Sequence, residues 1–162
     1  MASTRRRLLG KRHGFTVIEL MVMLTVAGII LAVSLPAFNN MLAGFRHSGT
    51  VNEATSQLFR VRQMAVREKI PYVVRIDTVN DRFSAFGDAN GNGVADPGEN
   101  VVGPWLADTD VSLVNVSWIG NQVTYFPNGR ASQTADFRVV DAHGRTKTVR
   151  LSSITGNAEV LP

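Results

Sequence analysis

Apolar residues fill the first part of the chain, return as a narrow stripe, and then alternate with polar ones. From Phe15 to Leu35 the sequence FTVIELMVMLTVAGIILAVSL runs 21 residues with one ionisable side chain, Glu19. As a helix it would be about 31 Å long at roughly 1.5 Å per residue, close to the ~30 Å hydrocarbon core of a bilayer. Pro36 follows. It lacks an N–H and disfavours α geometry at Leu35, so it ends or kinks a helix there. The helical pattern resumes with Val51, Ala54, Leu58, Val61 and Ala65 at 3, 4, 3, 4 spacing. This is an apolar stripe with Arg46, Glu53, Arg60, Arg62 and Arg67 off it. Lys69-Ile70-Pro71 closes the pattern. The expectation is one long helix from about Phe15 to Lys69, with residues 15–36 in a membrane or filament core and residues 37–70 amphipathic and packed on a domain.

After Pro71 the period falls to two. The predicted strands are Tyr72–Asp77, Arg82–Phe86, Val101–Leu106, Val111–Trp118, Val123–Phe126, Asp136–Val140, Lys147–Leu151 and Ala158–Leu161. Turn signals separate them at Val79-Asn80-Asp81, Asn128-Gly129, His143-Gly144 and Gly156-Asn157. The fold class is therefore α+β: a long N-terminal helix against an antiparallel sheet or sandwich formed by residues 71–162. The only hinge candidates are Gly44 and Gly49.

Composition narrows this further. A chain of 162 residues with 44% hydrophobic residues holds one domain plus a membrane segment. It has no Cys, which excludes disulfides and thiolate chemistry. Its histidines are His13, His47 and His143. His143 sits in a turn beside Asp141 without the serine or metal-ligand partners of a triad or zinc site. No Gly-rich phosphate motif is present. Enzyme chemistry has no foothold here, and no cofactor is required.

The net charge of +4 suggests nucleic acid until its distribution is considered. Arg5, Arg6, Arg7, Lys11 and Arg12 all precede Phe15, and the chain beyond Gly14 carries 12 Lys/Arg against 13 Asp/Glu. The basic cluster marks the cytoplasmic side of a membrane span, with residues after Pro36 outside. Three readings of the N-terminus compete. A signal peptide could be cut near Ala32–Ser34, but the apolar run exceeds the usual length of roughly 7–15 residues and contains Glu19. A plain anchor explains length and flanks but not Glu19, which costs about 2.5–3.5 kcal/mol at membrane depth.

The third reading is a resemblance. Gly14-Phe15-Thr16-Val17-Ile18-Glu19-Leu20 resembles the processing site of type IV prepilins and type II secretion pseudopilins. In that family a short basic leader ends in Gly, the cut precedes Phe, and Glu is the fifth residue after it; Pro36 also fits. The resemblance implies that residues 1–14 are a leader, cleaved after Gly14 by a prepilin peptidase, and that Phe15 is N-methylated. The partners it implies are other pilin or pseudopilin subunits and inner-membrane assembly machinery. It implies an inner-membrane protein crossing once, with a periplasmic C-terminal domain, that then enters a filament. The physical reading agrees: the cut exposes an amine one turn from Glu19, and a carboxylate in hydrocarbon needs a cationic partner. A neighbouring subunit's amine would supply it and set axial register. The alternative is that Glu19 snorkels to the interface.

Leu58 to Lys69, Val123 to Ser132 with its Gly129-Arg130 turn, and Phe137 to Gly156 are similar to the corresponding regions of GspH/FimT-type proteins. The implied role is a minor (pseudo)pilin near a filament tip. Some FimT-like minor pilins bind DNA during uptake through Gly-Arg-x-Arg near the C-terminus; this chain has Gly156-Asn157-Ala158-Glu159 there. DNA binding through Arg145, Lys147 and Arg150 is the rival function, because five bases against two acids lie between Arg130 and Arg150. The same hairpin could instead face the acidic 77–110 segment of another subunit.

One loop carries a metal-like pattern. Asp88 to Glu99 fits the twelve-residue calcium loop, with ligands from Asp88, Asn90, Asn92, Asp96 and Glu99, a carbonyl from Val94, and Gly93 at the turn. The flanks read as strands rather than helices, so this would not be an EF-hand. The alternative is a polar hairpin loop in which Asn, Gly and Asp serve turn chemistry.

Overall fold

The computed structural model describes residues 14–115 and 117–161. The basic leader cluster lies outside the described residues. The chain divides into two compact units, one ending at Asn40 and one beginning at Met41.

Helix α1 spans Val17–Glu68, with Pro36 inside it. It begins two residues later than the pattern predicts, because Thr16 takes the N-cap position. It ends at Glu68, and Lys69 turns the chain with φ 59°. Within the first unit every residue from Gly14 to Asn40 is exposed. This stretch is long and apolar enough to cross a membrane. Within the second unit the helix buries His47, Thr50, Val51, Ala54, Leu58, Val61 and Ala65. The five apolar stripe positions are those the spacing picks out, and none is more than 1% exposed.

Eight strands follow: β1 Tyr72–Asp77, β2 Arg82–Gly87, β3 Val101–Leu106, β4 Val111–Asn115, β5 Gln122–Tyr125, β6 Ala135–Asp141, β7 Thr146–Leu151 and β8 Ala158–Leu161. They form two antiparallel four-stranded sheets, ordered β3-β2-β1-β5 and β4-β6-β7-β8. The helix stripe shares one core with Tyr72, Val74 and Ile76 of the first sheet and Phe137, Val139, Val149 and Leu151 of the second. Alternation places these on one face of each strand, as half-buried strands require.

The fourth strand is shorter than its apolar run. It ends at Asn115, whose side-chain amide donates to Trp118 O at 3.1 Å and whose Oδ1 accepts from Trp118 N at 2.8 Å. This side-chain-closed turn competes with the ladder, as Asn commonly does. A 3-10 turn, Ile119–Asn121, leads into β5. Trp118 then packs edge-on against Phe137, with centroids 5.7 Å apart.

Candidate assembly site

The N-terminal motif occupies a helix start. Gly14, Phe15 and Thr16 precede the helix and are exposed. Thr16 and Glu19 form a reciprocal cap: Glu19 N donates to Thr16 Oγ1 at 3.2 Å, and Thr16 N donates to Glu19 Oε2 at 3.3 Å. Both bonds satisfy N–H groups that a helix start leaves unpaired, and the carboxylate also meets the positive end of the helix dipole. Glu19 therefore has a role within its own chain besides any role toward a neighbour. The T-x-x-E spacing preceding an apolar run was the available signal for it. Pro36 lies within the helix, where it removes one backbone donor and leaves the remaining ladder in place.

The second half of the helix is fastened to the sheets by polar contacts outside the stripe. His47 is 3% exposed, and its Nε2–H donates to Val139 O at 2.9 Å. Asp108 N donates to Thr50 Oγ1 at 3.1 Å. Arg46 meets Asp110 at 3.4 Å. Arg62 Nε donates to Gly129 O at 2.8 Å. At the same place Gly156, with φ 67°, lies so close that an added Cβ would sit 1.9 Å from Gly129 O and 2.9 Å from Arg62 Nε. Arg62 thus gathers the Gly129 and Gly156 turns onto the helix. The glycines read as turn residues in the sequence, but their mutual contact does not.

The 88–99 loop is closed by its own groups. Asp88, 4% exposed, accepts from Asn92 N at 3.0 Å and Gly93 N at 2.9 Å. Asp96 Oδ2 accepts from the side-chain amides of Asn90 and Asn92 at 2.7 and 2.6 Å. Glu99 accepts from Ala89 N and Asp96 N at 3.0 and 2.9 Å. Asn92 Oδ1 accepts from Val94 N at 2.8 Å. The three carboxylates Asp88, Asp96 and Glu99 are thus each matched to N–H donors. Among the described residues no group of three acidic or histidine side chains is placed to share a metal ion.

Two arginines of the basic β6–β7 region are paired with acids. Arg145 Nε donates to Asp141 Oδ2 at 2.6 Å. Burial works to raise the Asp141 pKa, but bonds from the Arg145 side chain and from the N–H groups of Arg145 and His143 outweigh it, and the group titrates below its ordinary range. Arg150 binds both oxygens of Asp136, at 3.0 and 2.9 Å, and holds its carboxyl below the ordinary range. Strand register places Glu159 on the other side of Arg150. Lys147 is half-buried opposite Val139. Two of the five bases between Arg130 and Arg150 are therefore engaged in ion pairs, while Arg130, Arg138 and Lys147 have no ion pair among the described residues.

The family model for the type II transport protein GspH matches residues 50–156. The fold is similar to that of the minor pseudopilin EpsH from the type 2 secretion system of Vibrio cholerae. The TM-score is 0.55 at 13% identity, over 72% of this chain and 96% of that one. It is also similar to the type IV minor pilin FimU of Pseudomonas aeruginosa, with TM-score 0.54 at 15% identity, over 71% of this chain and 87% of that one. No curated protein matches the chain by sequence.

Proposed function

We infer the role of this chain from its membership: it belongs to the type II transport protein GspH family and has the minor pseudopilin/pilin fold of type II secretion or type IV pilus systems. It is not an enzyme. The proposal is that it is a minor subunit at or near the tip of a pseudopilus or pilus. A prepilin peptidase removes residues 1–14, Phe15 is N-methylated, and the chain enters the filament through its N-terminal helix. Before assembly it crosses the inner membrane once, with residues after Pro36 on the periplasmic side.

The observation that carries this reading is the junction itself. Gly14-Phe15 is exposed and precedes the helix, where a peptidase can reach a backbone outside regular structure. The capped helix begins immediately after it, and its apolar residues as far as Asn40 are exposed. Such a surface requires lipid or neighbouring helices. Cleavage before Phe15 would place a new amine beside a carboxylate already oriented by Thr16. Glu19 would then be held ready for a cationic partner.

Mass analysis of the protein recovered from membranes tests the processing. A mature N-terminus at methylated Phe15 supports the reading; an intact leader, or a cut near Ala32–Ser34, refutes it. Glu19→Val should leave membrane insertion intact while impairing incorporation into the filament. Normal incorporation would assign the carboxylate to helix capping alone.

A further inference from the structure

A concave site of about 610 Å³ lies on the face of the β3-β2-β1-β5 sheet opposite the core. Alternation along β1 sends Tyr72, Val74 and Ile76 to the core and Arg75 and Asp77 to this face. Register sets Arg75 opposite Ser84 and Asp77 opposite Arg82. The two arginines are therefore diagonal neighbours on adjacent strands, about 7–8 Å apart at the backbone.

Their positive charge is only partly answered. Asp77 Oδ2 accepts from Arg82 Nε at 2.9 Å and from Asn80 Nδ2 at 2.7 Å. Its Oδ1 accepts from the N–H groups of Val79 and Asn80, both at 3.1 Å. That carboxylate is saturated by the hairpin. Arg75 makes two long bonds, to Gly93 O at 3.3 Å and Gln122 Oε1 at 3.4 Å, and lies over the Phe86 ring at 5.6 Å. Stacking and tethering hold its plane in place. The terminal nitrogens of Arg82, and Nε and Nη1 of Arg75, have no acceptor among the described residues. Val101 and Pro104 form an apolar wall, and Val79 stands at one end, 87% exposed.

We propose that this groove binds a short, extended acidic segment of a protein partner. One carboxylate lies between Arg75 and Arg82, and its apolar neighbours rest on Val79, Val101 and Pro104. Guanidinium groups recognise carboxylates through paired N–H donors, and the volume lies within the roughly 300–1,000 Å³ of small-ligand sites. A protein segment fits better than nucleic acid. The apolar wall of Val101 and Pro104 matches side chains rather than a sugar-phosphate backbone. The proposal does not depend on filament assembly or leader cleavage.

Calorimetric titration of the full chain in detergent micelles tests it, with a blocked Ala-Val-Asp-Val-Ala peptide as probe. The Asn counterpart should bind about tenfold more weakly, the loss of one charge-assisted hydrogen-bond pair. Arg75→Gln and Arg82→Gln should each weaken the acidic peptide by a similar factor. Ser84→Trp should abolish binding by filling the floor without removing a charge. Arg138→Gln, on the outer face of the other sheet, should change nothing. Melting temperatures of the variants close to that of the parent would confirm that each is folded. Equal affinity for the Asp and Asn peptides, no binding of the acidic peptide at millimolar concentration, or tighter binding of single-stranded oligothymidylate would overturn the proposal.

Discussion

Leu24 and Leu58 belong to the same helix, yet Leu24 is 65% exposed and Leu58 1%. Local propensity does not separate them, since both stretches are helical. They differ in how far the apolar surface extends around the axis. Residues 17–35 are apolar on all sides, which suits a helix surrounded by lipid or other helices. Residues 41–68 bury one apolar stripe in the core of two sheets, with charged residues and a few exposed apolar ones such as Phe45 and Phe59 off it. A complete apolar surface looks outward for its partners; a stripe finds its partner in the same chain.

The largest expected effect on the second region comes from Gly156→Ala. Left-handed backbone strain costs about 1–3 kcal/mol. The clash with Gly129 O forces the turn off Arg62 as well, so the loss of stability should exceed about 3 kcal/mol in denaturant unfolding. Leu58→Ala should cost about 2–5 kcal/mol through the cavity it leaves. Leu24→Ala should leave unfolding of the domain within about 0.5 kcal/mol, as exposed positions do. Equal destabilisation by both leucine variants would erase the contrast between the two halves of the helix.

Acid should separate the regions next. Asp77, Asp136 and Asp141 all lie in the second unit, and each titrates below its ordinary range. For Asp77, the hydrogen bond from Asn80 leads the causes and brings the value to about 2. Depressed carboxylates contribute stability that is present above the unfolded pKa, about 3.9, and lost as pH falls through the folded values. The domain's melting temperature should be flat from pH 7 to about 5 and fall between about pH 4 and 2. A melting temperature that holds to pH 2 would mean these pairs add nothing.

Two smaller effects concern the surface. With Arg145 and Arg150 engaged by Asp141 and Asp136, duplex DNA should bind only weakly at physiological salt. Reversing the charge of Arg145 and Lys147 should leave the salt slope unaltered; a flattened slope would restore the DNA-uptake reading. Millimolar Ca²⁺ should leave the melting temperature unchanged, because Asp88, Asp96 and Glu99 already have donors. A rise of several degrees would show that the cation displaces them and would restore the calcium loop.

Much of the fold was legible because its signals are local. The 3, 4, 3, 4 spacing of Val51 to Ala65 named the docking face, and alternation placed each strand within a few residues. The miss at Trp118 has a local cause too: the Asn115 side chain closed a turn that hydrophobicity alone would have run through. Charge pairing is not legible along the chain. A count of bases between Arg130 and Arg150 resembles a binding patch until register sets Arg150 between Asp136 and Glu159. The metal-like loop shows the same limit. Its composition suits either a cation or its own backbone, and only folded geometry shows which donors the carboxylates meet.

By itself the sequence determined the long helix, its apolar and amphipathic halves, the succession of strands and the Gly14-Phe15-Glu19 motif. Each of these depends on residues a few positions apart. Tertiary structure alone decided which face of the first sheet carries Arg75 and Arg82 together, and that Arg62 would find Gly129 67 positions away and His47 would find Val139 92 positions away. Periodicity is a property of one segment and can be read along it. A hydrogen bond between distant segments exists only once packing has fixed their separation and register.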